Sequence, residues 1–171
     1  MSEQAEVRIE FINPFVKATI ESMTTMVNTS CDRVGLYVKK ENQTTMAGDI
    51  SVMMSIFGSL NGTVVISMPR KVAIKLVASM LMDEDIDDFD DDVMDGIGEI
   101  GNLIVGTAKS SISQTYGQEA SISIPTILTG KPHDIQHKKG VPCIGCVFNT
   151  GAGKIAIEVA VIPDDNLKAA S

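Results

Sequence analysis

The chain has 171 residues, 44% of them hydrophobic and 21% charged, with a formal net charge of -8. That composition excludes a disordered chain, and no apolar run approaches the roughly 18 residues of a membrane span, so no membrane partner is expected. The acidic balance excludes nucleic acid as the expected partner, because phosphates attract basic surfaces.

The length suits one domain over residues 1–171. A first helix is predicted to open at Asn13-Pro14, where Asn caps and Pro at the first helical position loses no bonded N–H. Val16, Ile20, Met23 and Val27 give it one apolar face, and Asn28-Thr29-Ser30 ends it. Strand-like runs follow at Arg33 to Lys39, Asp49 to Phe57 and Thr63 to Met68, the last two joined through a hairpin signal at Asn61-Gly62. Pro69 opens a short helix to about Met82. Then come nine of the 22 acidic residues, between Asp83 and Asp95; without them 13 acids face 14 bases, so the net charge belongs to one segment.

A long helix is predicted from about Asp90 to Tyr116, with Val93, Ile97, Ile100, Ile104 and Ala108 on its core side. Strand-like runs return at Ala120 to Leu128, Val141 to Phe148 and Lys154 to Ile162, the last two turning at Gly151-Ala152-Gly153. The order helix, strand, loop, hairpin thus occurs twice, over about 11–82 and 88–163. An offset of 91 residues aligns Phe57 with Phe148, Gly62 with Gly153, Val64 with Ile155 and Ile66 with Ile157. The expected fold is α+β: two pseudo-repeated αβ halves sharing one largely antiparallel sheet, with the long helices packed on it.

Most short motifs fail on their own chemistry. Cys143-x-x-Cys146 invites a zinc or redox role, with His133 and His137 just upstream. In a strand, however, residues three apart point to opposite faces, whereas thiolates on one zinc must converge. The cysteines are read as buried small residues, the histidines as members of a polar loop, and no metal site is expected. The acidic run, counted from Asp83, has Asp88 where a calcium loop needs Gly and Met94 where it needs Glu. It reads as a connector whose last acids face a helix N-terminus, with steering of a basic partner as a second possible use. Gly151-Ala152-Gly153-Lys154 lacks the Ser or Thr of a phosphate loop. Three cysteines make no disulfide framework, and the first residues lack the features of a secretion signal, so a cytoplasmic location is expected.

The long helix carries the strongest signal. Asp95, Glu99, Asn102, Gly106 and Lys109 recur at spacings of four, three, four and three, forming one face. Glu99 and Asn102 lie about 200° from the core stripe. Gly96, Gly98, Gly101 and Gly106 interrupt the helix at roughly 0.8–1 kcal/mol each against Ala. They imply either tight packing or a surface cleared for a partner's backbone. Glu99-x-x-Asn102 is no acid–base pair, since an amide does not titrate. It can orient a water while the Glu pairs with a partner's Lys, which suits hydrolysis of a group carried by another protein. A plain solvated helix face explains the same row.

The stretch Asp95-x3-Glu99-x2-Asn102-x3-Gly106, with the repeated half order and the glycine-bearing hairpins, resembles the CheC/CheX/FliY family of chemotaxis phosphatases. The resemblance implies hydrolysis of the aspartyl phosphate on a CheY-like response regulator. Asn102 would hold the attacking water, Glu99 would pair with the regulator's Lys, and Asp95, Gly98, Gly106 and Lys109 would line the partner face. It implies no cofactor of the chain's own, the Mg2+ being carried by the phosphorylated partner. The corresponding place in the first helix reads Glu21-Ser22-Met23-Thr24, without an amide, which leaves one motif and implies the single site and homodimer of the CheX branch. The competing reading is a non-catalytic docking module for a response regulator or flagellar switch component.

Overall fold

A computed structural model describes residues 3–39, 48–117, 119–130 and 135–164. In chain order the elements are α1 (Glu3–Thr25), β1 (Cys31–Lys39), β2 (Ile50–Gly58), β3 (Leu60–Met68), α2 (Arg70–Leu81), α3 (Asp91–Tyr116), β4 (Ala120–Ile122), β5 (Thr126–Thr129), β6 (Cys143–Thr150) and β7 (Gly153–Pro163). The strands form one sheet in the order β1-β6-β7-β3-β2-β4, with β5 also on β2. Every pairing among the described strands is antiparallel. The α+β class and the shared antiparallel sheet are as the sequence implies.

The two hairpins, β2–β3 and β6–β7, meet at the sheet's centre through β3 and β7. Each is flanked by the strand that follows the other half's helix: β1 lies on β6, and β4 and β5 lie on β2. The helices cross over in the same way, α1 packing on β6 and β7 and α3 on β2. The core between helices and sheet holds Phe15, Met23, Ile66, Leu76, Ile97, Ile104, Phe148 and Ile157, all buried.

Four expectations need correction. The first helix begins at Glu3, with Pro14 inside it and not at its start. Pro14 removes one N–H from the ladder, but Phe11, Ile12 and Phe15 around it are buried in the core, and that packing outweighs the local preference. Met23 and Val27 are buried as expected, whereas Val16 and Ile20 are only partly so.

The first hairpin turns at Ser59, beside Gly58 at φ +111°, and not at Asn61-Gly62. Gly62 lies within β3, where a Cβ would collide with the Ala160 carbonyl of β7, so it serves a close strand approach. The repeat's offset is also corrected. Register pairs Met54 with Val64 and Phe148 with Ile155, which makes Met54 the counterpart of Phe148. Both are buried, while Phe57 is half-exposed on the other face.

The run from Ala120 to Leu128 is broken into β4 and β5 at Ser123-Ile124-Pro125. Pro125 has no N–H to give a ladder.

Candidate functional site

The acidic run ends by starting α3. Asp90 is the N-cap, its Oδ1 accepting from the Val93 N–H at 3.0 Å, and Asp91 and Asp92 occupy the first turn, where carboxylates favour the positive end of the helix dipole. Upstream, Asp83 and Asp88 accept from the N–H groups of Asp85 and Phe89, and the Arg70 guanidinium lies 4.9 Å above the Phe89 ring. Much of the acidic run therefore folds its own connector.

The glycines of α3 divide between the two uses that the sequence left open. A Cβ on Gly96 would stand 2.7 Å from a Val77 methyl of α2, and one on Gly101 would stand 2.8 Å from a Val52 methyl of β2. A Cβ on Gly98 would stand 3.4 Å from the Pro125 ring. These three admit close neighbours. Only Gly106 faces open space. Gly98 is thus buried beneath the corner between β4 and β5 and offers no free surface for the partner face expected of it.

The remaining members of the row stand where the period places them. Asp95 and Glu99 are exposed, and Asn102, Gly106 and Lys109 are partly exposed. Glu99 and Asn102 have no side-chain hydrogen bond or ion pair to another described residue, so the carboxylate and amide are free to meet a ligand. Lys109 lines a recess of about 460 Å³ with Gly58, Ser113, Glu119, Ala120 and Ser121, which continues the row toward the helix C-terminus. On α1 the matching Thr24 donates to the carbonyls of Ile20 and Glu21 at 2.8 and 3.2 Å. Its hydroxyl is engaged by its own helix.

A second polar cluster lies behind the sheet, and sequence reasoning missed it. Glu158 of β7 is buried. Tyr37 donates to its Oε1 at 3.0 Å, and Lys39 lies 3.1 Å from its Oε2. His137 Nε2 is also 3.1 Å from Oε2, and Thr63 Oγ1 is 2.6 Å from His137 Nδ1. Lys39 donates to the Ile135 carbonyl as well, at 2.7 Å. Gly145 has no side chain because the Tyr37 ring lies across it on the way to Glu158.

Burial alone would raise the Glu158 pKa. Hydrogen bonds from His137 and Lys39, the Lys39 charge and the Tyr37 hydroxyl outweigh it and hold the carboxyl below its ordinary range. His137 is therefore no member of an open polar loop but a buried side chain tying its segment to the sheet; His133 lies outside the described residues. The signal available was Glu158 as the one charged residue within the buried run of β7, since β6 separates that strand from the β1 residues Tyr37 and Lys39.

Cys143 faces this cluster, while Cys146 faces the helix side of the sheet. The cysteines do point to opposite faces. Burial, and then the Glu158 charge, push the Cys143 thiol up to about 12; burial pushes Cys146 to about 11. Neither is a ready thiolate. His137, Cys143 and Glu158 bring possible ligand atoms within 4.8 Å of one another, but the Lys39 ammonium already fills the cation position at Glu158.

The family described as chemotaxis phosphatase CheX matches residues 50–149, well over half of the chain and the whole of α3. The chain belongs to the CheX family. Among curated relatives, the CheY-P phosphatase CheX of Thermotoga maritima is 25% identical over 79 residues, 46% of this chain and 50% of that protein. The chain therefore spans about half the length of the curated relative it matches. Among solved structures, chemotaxis protein CheX from Desulfovibrio desulfuricans is 31% identical over 91% of this chain and 99% of that one, with a TM-score of 0.78. A chain in the CheX–CheY–BeF3–Mg2+ complex from Borrelia burgdorferi is 22% identical over 88% of this chain and 97% of its own, with a TM-score of 0.73, a likeness of fold. No described helix is long and apolar enough to cross a membrane.

Proposed function

We propose that this CheX-family chain hydrolyses the aspartyl phosphate of a CheY-type response regulator in chemotaxis or two-component signalling. The observation that carries the reading is the Glu99–Asn102 pair on the outer face of α3, with both side chains left free. The Thermotoga relative is itself a CheY-P phosphatase, and a chain of this fold forms a complex with CheY in Borrelia, which supports the choice of partner.

In this mechanism the regulator supplies both the phosphoaspartate and Mg2+. The Asn102 side-chain oxygen accepts a hydrogen bond from a water and aims its lone pair at phosphorus. The new P–O bond forms as the bond to the aspartyl oxygen breaks. The leaving carboxylate stays on the regulator, and the water's proton leaves with inorganic phosphate. No base is required, because phosphoryl transfer is governed by positioning and charge neutralisation. Glu99 pairs with a Lys of the regulator and fixes the docking angle. Asp95, Gly106 and Lys109 extend the contact, and exposed acids before α3 favour a basic partner. The reading implies a cytoplasmic protein that pairs with a second copy through β1, whose outer edge has no strand partner among the described residues.

Phosphate release from phosphorylated regulator tests it. Asn102→Ala is expected to lower the saturating rate about 100-fold while leaving binding intact. Glu99→Ala is expected to raise the half-saturating regulator concentration about tenfold. Equal phosphate loss with and without the wild-type protein would instead favour the docking-module reading.

A further inference from the structure

We propose that Ile124, at the corner between β4 and β5, is an apolar anchor that seats the response regulator while α3 addresses its phosphoaspartate. The inference rests on the phosphatase reading and extends the partner face from one helix to a helix and the adjoining sheet edge.

Ile124 is 85% exposed, the largest value among the described large hydrophobic residues. Single exposed apolar residues are common and need no explanation by themselves. Two observations separate this one. Its corner is rigid: the Ser123 N–H donates to the Ser55 carbonyl at 2.9 Å, the Ser55 N–H donates to Ser123 Oγ at 2.9 Å, and Ser123 Oγ donates to the Ile124 carbonyl at 3.0 Å. Three hydrogen bonds around one residue hold the Ile124 backbone in place before any partner arrives, which lowers the ordering penalty on binding.

The corner is also joined to the site. Pro125 packs on Gly98, the residue before Glu99, and Ile127 lies close behind it. The bare Cα of Gly98 thus accounts for more than helix packing. It lets the sheet edge fold against the turn of α3 that carries the Glu–Asn pair. Ile124 stands one residue before that contact, at the corner that packs on the residue preceding Glu99.

The occupant follows from charge. The exposed acids around this face are Asp91, Asp92, Asp95 and Glu99, with Glu84 and Asp87 in the connector. A bare hydrophobic surface or an acidic partner does not suit such a setting. A folded protein does when it presents a Lys beside an acyl phosphate, with an apolar recess next to the Lys. Acidic residues then set orientation and encounter rate, and Ile124 supplies contact that salt does not screen.

The experiment compares wild type, Ile124→Ser, Ile124→Leu and Asn102→Ala in phosphate release from a CheY-type regulator, chosen from a panel as the one that wild type dephosphorylates fastest. Ile124→Ser is expected to raise the half-saturating regulator concentration about tenfold. The saturating rate and melting temperature should stay at the wild-type values. A tenfold change corresponds to about 1.4 kcal/mol, within what burial of one Ile side chain provides. Ile124→Leu should restore most of the affinity. The penalty should persist in high salt, where the acidic contribution fades. An unchanged half-saturation for Ile124→Ser, beside a failing Asn102→Ala, would overturn the anchor and leave the phosphatase reading standing. A wild-type protein that accelerates no regulator would overturn both.

Discussion

Glu158 is the residue whose surroundings make the sharpest demand on the fold. Its side chain is 1% exposed, and it shares Lys39, 7% exposed, with the His137 segment. Replacing Glu158 removes the buried charge that Lys39 and His137 share, and breaking a buried pair costs more than the pair itself contributes. Glu158→Gln is therefore expected to destabilise the protein by about 3–5 kcal/mol in urea unfolding at neutral pH. Glu158→Gln combined with Lys39→Met should cost less than the two single changes summed, because the two side chains share one contact. The pH dependence has a definite sign. A carboxyl held below its ordinary range contributes stability that is complete above the unfolded value of about 4.3. That contribution is lost as pH falls through the lower native value. Wild type should thus lose more stability than Glu158→Gln on going to acid. Equal losses in the two proteins would show that another group governs acid unfolding.

At the scale of the element, α3 combines two kinds of glycine that a sequence does not separate. Gly96→Ala and Gly101→Ala drive a methyl into Val77 or Val52, and each should lower stability by about 1–3 kcal/mol in thermal or urea unfolding. Gly106→Ala meets nothing and should raise stability by up to ~1 kcal/mol. It should still weaken regulator binding if its bare surface admits a partner. A uniform loss across all three variants would refute the division. The limits and polar row of α3 were legible because a 3.6-residue period and an Asp cap are local signals. So were β6, β7 and the turn between them. What stayed hidden depended on partners distant in sequence. Pro14 sits within a helix because the surrounding side chains are buried, Gly62 is small because β7 passes close by, and Gly98 is small because Pro125 returns to meet it. Glu158 is one charged residue in an otherwise apolar stretch of β7, and only the sheet order brings Lys39 and Tyr37 to it.

The whole molecule has two unlike sheet edges, and they suggest a division of labour. At one end, β4 and β5 are short and separated by Pro125, with their corner folded toward α3. Such an edge resists pairing with another strand. At the other end, β1 is nine residues long, and beyond its buried first residue, Cys31, it leaves Leu36 and Val38 58% and 64% exposed. Register sets these two beside Cys146 and Ile144, on the helix side of the sheet. Among the described residues only β6 pairs with β1; a long edge of this kind with apolar side chains is an aggregation hazard unless something covers it, and a second copy related by a two-fold axis can cover it on both chains at once. Because α3 and Ile124 lie toward the opposite edge, such a dimer keeps both partner faces open. Leu36→Asp combined with Val38→Lys is therefore expected to convert a dimer into a folded monomer in sedimentation velocity, with phosphate release per chain unchanged. A wild-type protein that sediments as a monomer at micromolar concentration would remove the dimer. Loss of activity in the monomeric variant would instead show that the two chains share a site across β1.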